Sequence, residues 1–360
     1  MSHVISAIRP TWAVPGGVVT VEGIHLPVPA DGPPHVLIGS KDAHVVAASH
    51  SALTVVVPDD AEAGSAALRI DELPGETIYL EVGRQYATGV HQVDSPAFGA
   101  DGLLYCTMSG SRGNKATVPL YRIGADGARQ PLEVEIANPT SLALGPDGRM
   151  YVSSRFDGQV HRLIDDEHAE VFATELGVAT GLAFGPDGDL FVGDRSGTIL
   201  RVKPDRSVEP FATLPASVAA IHLAFGPDDC LYAAGPTLST HDVIYRITPD
   251  RMVDEFCRGF GRPQGLAFDS TGALYVVEAL AGRAGLYRVN AGSDRGQTRV
   301  RPGSDPIGET PKGSDPRLTP ELVLSAPALV GVAIAPGGGL VVASGETVWW
   351  LDNSVTPFRP

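Results

Sequence analysis

An eleven-residue pattern returns six times in the last three quarters of the chain, and no other feature limits the fold as tightly. It reads Ser95-Pro-Ala-Phe-Gly-Ala-Asp-Gly-Leu-Leu-Tyr105, Ser141-Leu-Ala-Leu-Gly-Pro-Asp-Gly-Arg-Met-Tyr151 and Gly181-Leu-Ala-Phe-Gly-Pro-Asp-Gly-Asp-Leu-Phe191. It continues as His222-Leu-Ala-Phe-Gly-Pro-Asp-Asp-Cys-Leu-Tyr232, Gly265-Leu-Ala-Phe-Asp-Ser-Thr-Gly-Ala-Leu-Tyr275 and Gly331-Val-Ala-Ile-Ala-Pro-Gly-Gly-Gly-Leu-Val341. The copies start at 95, 141, 181, 222, 265 and 331, at intervals of 46, 40, 41, 43 and 66 residues. A period near 40 with several short strands per unit is the spacing of propeller blades. One such unit cannot bury both of its faces, so the units stack into a closed ring.

Each unit has a physical reading. A small-apolar strand (A) meets a Pro-Asp-Gly turn whose glycine supplies a positive φ. Strand B follows, as in Leu190-Phe-Val-Gly-Asp194. Strand C carries an apolar-basic-apolar group such as Tyr245-Arg-Ile247, and strand D appears in Val208-Glu-Pro-Phe-Ala212. The 42 Gly and 30 Pro speak against long helices, and a 43% hydrophobic fraction is ample for a large core. The last copy ends at its strand C, Thr347-Val-Trp-Trp-Leu351. Segment 86–93, ahead of the first copy, is placed to supply the missing strand and close the ring. Residues 1–85 read differently, as several short strands with turn signals. The expected fold class is therefore all-β, a six-bladed β-propeller over 86–360 preceded by a small immunoglobulin-like β-sandwich over 1–85.

Two resemblances sharpen this reading. Residues 4–83 resemble the TIG (IPT) immunoglobulin-like domain through Ile8, Pro10, Gly16, Gly17, Val19, Val21 and Gly23. Residues 86–354 resemble the NHL-repeat and regucalcin/gluconolactonase superfamily of six-bladed propellers through the repeated Gly-Leu-Ala-Phe-x-Pro-Asp-Gly-x-Leu-Tyr-Val. That group includes lactonases, lyases, synthases and non-catalytic binders. In its lactonase branch a divalent metal sits at the channel mouth, and the resemblance puts the ligand positions on Asp94, Thr140, Thr180 and Ile221. Of these only Asp94 is a charged ligand.

The connections D-to-A and B-to-C are expected on one face, the binding face of such a ring. They place Asp94, Thr140, Thr180, His222 and Gln264 at the heads of strands A, and Asp194 and Glu278 at the ends of strands B. Asp94, Asp194 and Glu278 are the candidate ligands of one divalent cation (Ca, Mg or Zn). Asp194 and Glu278 could equally organise the loops beside them. His222 stands where the other copies carry Gly or Ser, and with Glu278 it is the candidate catalytic group; an interior, satisfied histidine is the plainer reading. Arg112, Arg155, Arg195 and Arg283 follow the strand-B ends, where planar guanidiniums suit an anionic substrate or neutralise nearby carboxylates. Thr140, Thr180 and Gln264 are the candidate polar contacts. The 109–119 connection could act as a lid, and the Gly-, Ser-, Asp- and Pro-rich insertion 290–320 could dock a protein.

Charge and cysteines narrow the partners. A net charge of −15 speaks against nucleic acid and anionic membranes. No apolar run approaches the roughly 18–20 residues that span a bilayer. The amino terminus shows no basic-then-apolar leader. Cys106, Cys230 and Cys257 form no CxxC pair and read as buried thiols of a reducing compartment, which points to the cytoplasm. The expected function is binding of a small polar, anionic metabolite at the channel mouth, with metal-assisted hydrolysis of lactones or esters if it is an enzyme. The alternative is a non-catalytic ligand- or protein-binding propeller whose TIG module or 290–320 loop engages a protein.

Overall fold

The protein is described by a computed structural model covering residues 4–71, 73, 77–110, 116, 118–290 and 318–352. Among these residues every regular element longer than a turn is a strand. The repeat explains why. In the second copy Gly148 takes φ +76° at the turn between the first two strands. Asp147 then accepts the Arg149 N–H at 3.1 Å and the Tyr151 hydroxyl at 3.3 Å, and pairs with Arg162 at 3.0 Å. The fourth copy repeats this clasp, with Asp228 bonded to Cys230 N–H, Tyr232 O–H and Arg246 at 3.3, 3.1 and 2.7 Å. There Asp229 replaces the glycine and holds φ +58°, a left-handed conformation that Asp tolerates better than most residues. The recurring Asp, Tyr and Arg are thus one folding device that locks strands A, B and C together.

The units form antiparallel four-stranded sheets in a propeller-like arrangement. Five stand as separate sheets, and they begin at Ala97–Phe98, Pro139–Leu144, Ala179–Phe184, His222–Phe225 and Gly331–Ile334. The last of these is completed by Arg84–Thr88, which pairs with Thr347–Leu351. The fifth copy of the repeat does not make a separate sheet. Its strands Pro263–Phe268, Ala273–Glu278, Gly285–Asn290 and Glu321–Ser325 form one end of a twelve-stranded sheet.

The rest of that sheet is the N-terminal unit, which has its own core around Val21, Val36, Ile38, Leu53, Leu68 and Leu80. The join is a two-residue strand, Trp12–Ala13. It runs parallel to Glu81–Val82 on one side and to Leu324–Ser325 on the other. Val14 N–H donates to the Ser325 carbonyl at 3.0 Å, and Val18 N–H donates to the Ser325 hydroxyl at 2.7 Å. Val14 itself packs in the apolar layer of the adjoining propeller sheets, beside Leu324 and Leu351.

Neighbouring sheets are stitched at their inner strands. Thr180 is central to one seam: its hydroxyl donates to Gly193 C=O at 2.8 Å and accepts Ile221 N–H at 3.0 Å. Where the first and last copies meet, Val332 N–H donates to the Ser95 hydroxyl at 3.2 Å. A Cβ on Gly331 would overlap the Ser95 backbone, so the approach at this seam requires glycine. Apolar layers fill the wedges between sheets, for example Leu120, Leu132, Leu142 and Val152 between the first two. Each fully buried aliphatic side chain there contributes about 1.5–3 kcal/mol.

Candidate functional site

His222 opens its strand and pairs across it with Ala234. Asp94 lies just ahead of the first strand of the first sheet. The ring brings these two residues together although 128 positions separate them: His222 Nδ1 lies 2.5 Å from Asp94 Oδ1. Both are buried, at 2% and 4% exposure. The same carboxylate oxygen accepts the Ser95 N–H at 2.6 Å. Among the described residues His222 Nε2 makes no hydrogen bond, and it is not one of the sealed, unpaired polar atoms. Asp94 therefore orients the imidazole through one nitrogen and leaves the other free to meet a ligand.

The other carboxylates do not join this pair. Glu278 is wholly buried and accepts three backbone N–H groups, from Gly261 at 2.6 Å and from Arg262 and Leu280 at 2.8 Å each. Asp194 accepts Val178 N–H at 2.8 Å and the Ser196 hydroxyl. Each clips the loop that leads into its own sheet. The Thr180 hydroxyl is consumed by the seam described above, and the Thr140 hydroxyl points back to Asn138 C=O at 3.4 Å. Ile221 offers no side-chain donor atom. Among the described residues no three His, Cys, Asp or Glu side chains converge. Asp94, Asp194 and Glu278 thus do not form one ligand set, and the described residues bring together no group of oxygens of the kind a divalent cation needs around one point.

The arginines divide. Arg112 lies outside the described residues. Arg283 is exposed and donates to Gly259 C=O at 2.9 Å, bracing the neighbouring strand. Arg195 is exposed, and its guanidinium donates to the Val218 carbonyl at 3.4 Å. Arg155 is half-buried; burial and the nearby Arg195 charge hold its guanidinium below the usual pKa. Neither Arg155 nor Arg195 has a carboxylate partner among the described residues. Gln264 is buried at 8% exposure, and its amide makes no hydrogen bond among the described residues.

Sequence reasoning missed several groups. Gln92 is 2% exposed, yet both amide atoms are sealed and unpaired, as are Thr107 Oγ1 and Asn138 Oδ1. Phe156 and Leu238 stand exposed in loops of the same face, where their letters alone suggest core. A groove of about 460 Å³ lies elsewhere, along Phe172, Thr174, Glu175 and Val208. Its guanidinium, Arg206, is already paired with Glu170 at 3.0 Å, so this groove is chemically quieter than the channel mouth.

No family model matches the sequence, and no curated protein matches it. Solved structures do resemble the fold. One named as a candidate gluconolactonase has 15% identity and a TM-score of 0.57, covering 77% of this chain and 94% of its own. An auxiliary nutrient binding protein from Bacteroides ovatus has 12% identity and a TM-score of 0.53, covering 100% of this chain and 99% of its own. A catalytically inactive His-to-Ala variant of virginiamycin B lyase from Staphylococcus aureus, with quinupristin, has 15% identity and a TM-score of 0.50, covering 74% and 96%. These likenesses bear on the fold alone, which is propeller-like. Among the described residues no helix is long and apolar enough to cross a membrane.

Proposed function

We propose that the chain is a binding propeller that holds a small polar anion at the mouth of its channel. The four strands at the end of the twelve-stranded sheet count as its fifth blade, giving six in all, and the N-terminal unit is a TIG-like sandwich fused to that blade. The observation that carries the reading is the pair Arg155 and Arg195. Two neighbouring guanidiniums, one half-buried, have no carboxylate partner among the described residues, and an anion relieves that repulsion. The unpaired Gln264 amide and His222 Nε2 offer polar contacts deeper in the mouth. A neighbour that spans this whole chain is named as a nutrient binder, which agrees with a binding role for this architecture.

Calorimetric titration with inorganic phosphate and with citrate tests the proposal. Binding should weaken about tenfold or more in Arg155→Met, since a charge-assisted hydrogen bond contributes about 1.5–3 kcal/mol. Equal affinity in wild type and variant would overturn it.

The His222–Asp94 contact favours a second reading, in which the propeller is an enzyme. An imidazole held at Nδ1 by a buried carboxylate can take a proton at Nε2 from a bound substrate or water. Hydrolysis of a lactone or ester, and proton abstraction beside a carbonyl, both fit that arrangement. A panel of such substrates assayed with and without EDTA, on wild type and His222→Ala, decides it. Turnover that withstands EDTA and disappears in His222→Ala supports the enzyme. Turnover restored only by added metal would refute this metal-independent form.

A further inference from the structure

We propose that the anion held at Arg155 and Arg195 carries an apolar body, which lies along Phe156, Val178, Val218 and Leu238. The proposal rests on the anion reading above and assigns the ligand to the amphipathic acids.

The loops that carry these six residues are bonded one to the next across three successive sheets. Arg155 and Phe156 follow the second strand of the second sheet, whose loop is bonded to the next through Leu176 N–H and Gly158 C=O at 3.0 Å. Arg195 N–H donates to Val178 C=O at 3.2 Å, and its guanidinium donates to Val218 C=O at 3.4 Å. Val218 N–H donates in turn to Pro236 C=O at 2.8 Å, two residues before Leu238. Backbone bonds thus tie each apolar side chain to a loop that carries a cation or lies beside one.

Exposure along this series of loops is uneven. Phe156 is 76% exposed and Leu238 93%, the two largest values among the exposed large hydrophobic residues described. Val178 and Val218, between them, are 38% and 41% exposed. The two most exposed side chains thus sit on the outer loops of the series, and the two less exposed ones on the loops between them, beside Arg195. Single exposed apolar residues are ordinary on a protein surface, but a contiguous group marks a binding surface. The chemistry of the occupant follows from the cations. A neutral hydrophobe would leave both guanidiniums unpaired, and a bare inorganic anion would leave the four apolar groups wet. A molecule with an acidic end and an aliphatic or aromatic body satisfies both. The N-terminal unit does not obstruct these loops, because it joins the ring at the fifth copy of the repeat, through Leu324–Ser325.

Calorimetric titration with acetate, hexanoate, decanoate and decanol tests the proposal. In wild type the Kd of the acids should fall by about two- to fourfold per added CH₂, and decanol should bind at least tenfold more weakly than decanoate. The double variant Phe156→Ser, Leu238→Ser changes only exposed side chains. It should reduce the dependence on chain length by about half and leave acetate binding unchanged. If the three acids share one Kd, or the length dependence survives the double variant intact, the apolar assignment is overturned while the anion reading stands. If Arg155→Met leaves the affinity for acetate unchanged, the anion reading falls, and this assignment falls with it.

Discussion

Replacing Glu278 by Gln separates a loop clip from a metal ligand. The wild-type carboxylate has no exposure and accepts three N–H groups, Arg262 and Leu280 on one oxygen and Gly261 on the other. A glutamine can turn its single oxygen toward Arg262 and Leu280. Its NH₂ then faces the Gly261 N–H at what had been a 2.6 Å contact, donor against donor. One charge-assisted bond is lost outright, and the two that remain become neutral. A bond to a charged group contributes about 1.5–3 kcal/mol and a neutral one about 1. Three charged bonds thus give way to two neutral ones, an expected loss of about 2.5–7 kcal/mol, or about 3–9 °C in Tm at about 2.1 cal/mol/K of unfolding entropy per residue. Differential scanning calorimetry with EDTA, and again with 5 mM Ca²⁺, Mg²⁺ or Zn²⁺, reads both possibilities at once. The clip predicts a lower Tm in Glu278→Gln and no metal effect on either protein. A Glu278→Gln protein as stable as wild type, or a Tm raised by metal in wild type alone, would refute the reasoning.

Three further outcomes follow from the packing. Burial lowers the pKa of His161, with Asp157 opposing, so the unfolded chain takes up a proton first as pH falls. The stability His161 permits is complete above about pH 6.5 and is lost below it, and His161→Gln should flatten the fall in denaturation free energy between pH 7.5 and 5.5. Removing the Ser325 hydroxyl leaves Val18 N–H without its 2.7 Å partner, so Ser325→Ala should cost about 1–2 kcal/mol in urea denaturation. Burial pushes Cys106 far above the ordinary thiol range, Cys230 to about 12 and Cys257 to about 11. Ellman's reagent at pH 8 should find no reactive thiol in the native protein and all three after guanidinium denaturation.

The propeller-like all-β fold was legible because the repeat's own residues do the folding. Asp147, Tyr151 and Arg162 lie within one unit, and the contacts that lock them are local. The twelve-stranded sheet was not legible, since a two-residue parallel strand at Trp12–Ala13 leaves no periodic trace. The site was legible only in outline. Sequence position put Asp94 and His222 at the heads of inner strands, but their meeting depends on ring closure and has no local signature. Asp194 and Glu278 read alike as ligand or loop clip, because the choice lies with backbone N–H groups up to 17 residues away. Phe156 and Leu238 carry no sequence signal of exposure, and only the folded loops show them standing in water.

The strand Trp12–Ala13 has one more consequence, for where this chain can be cut. It covers two open borders at once, the Ile78–Val82 side of the N-terminal unit and the Glu321–Ser325 side of the propeller. A border of unpaired backbone groups is an adhesive surface that recruits any extended segment. Severing the chain ahead of Tyr86 would not release a self-contained ring. It would uncover Leu324 and Ser325, remove the Val14 and Val18 donors from Ser325, and take Arg84 and Gln85 from the strand beside Trp349 and Trp350. The shortened chain should self-associate through that bared border, and the released N-terminal piece should do the same through its own.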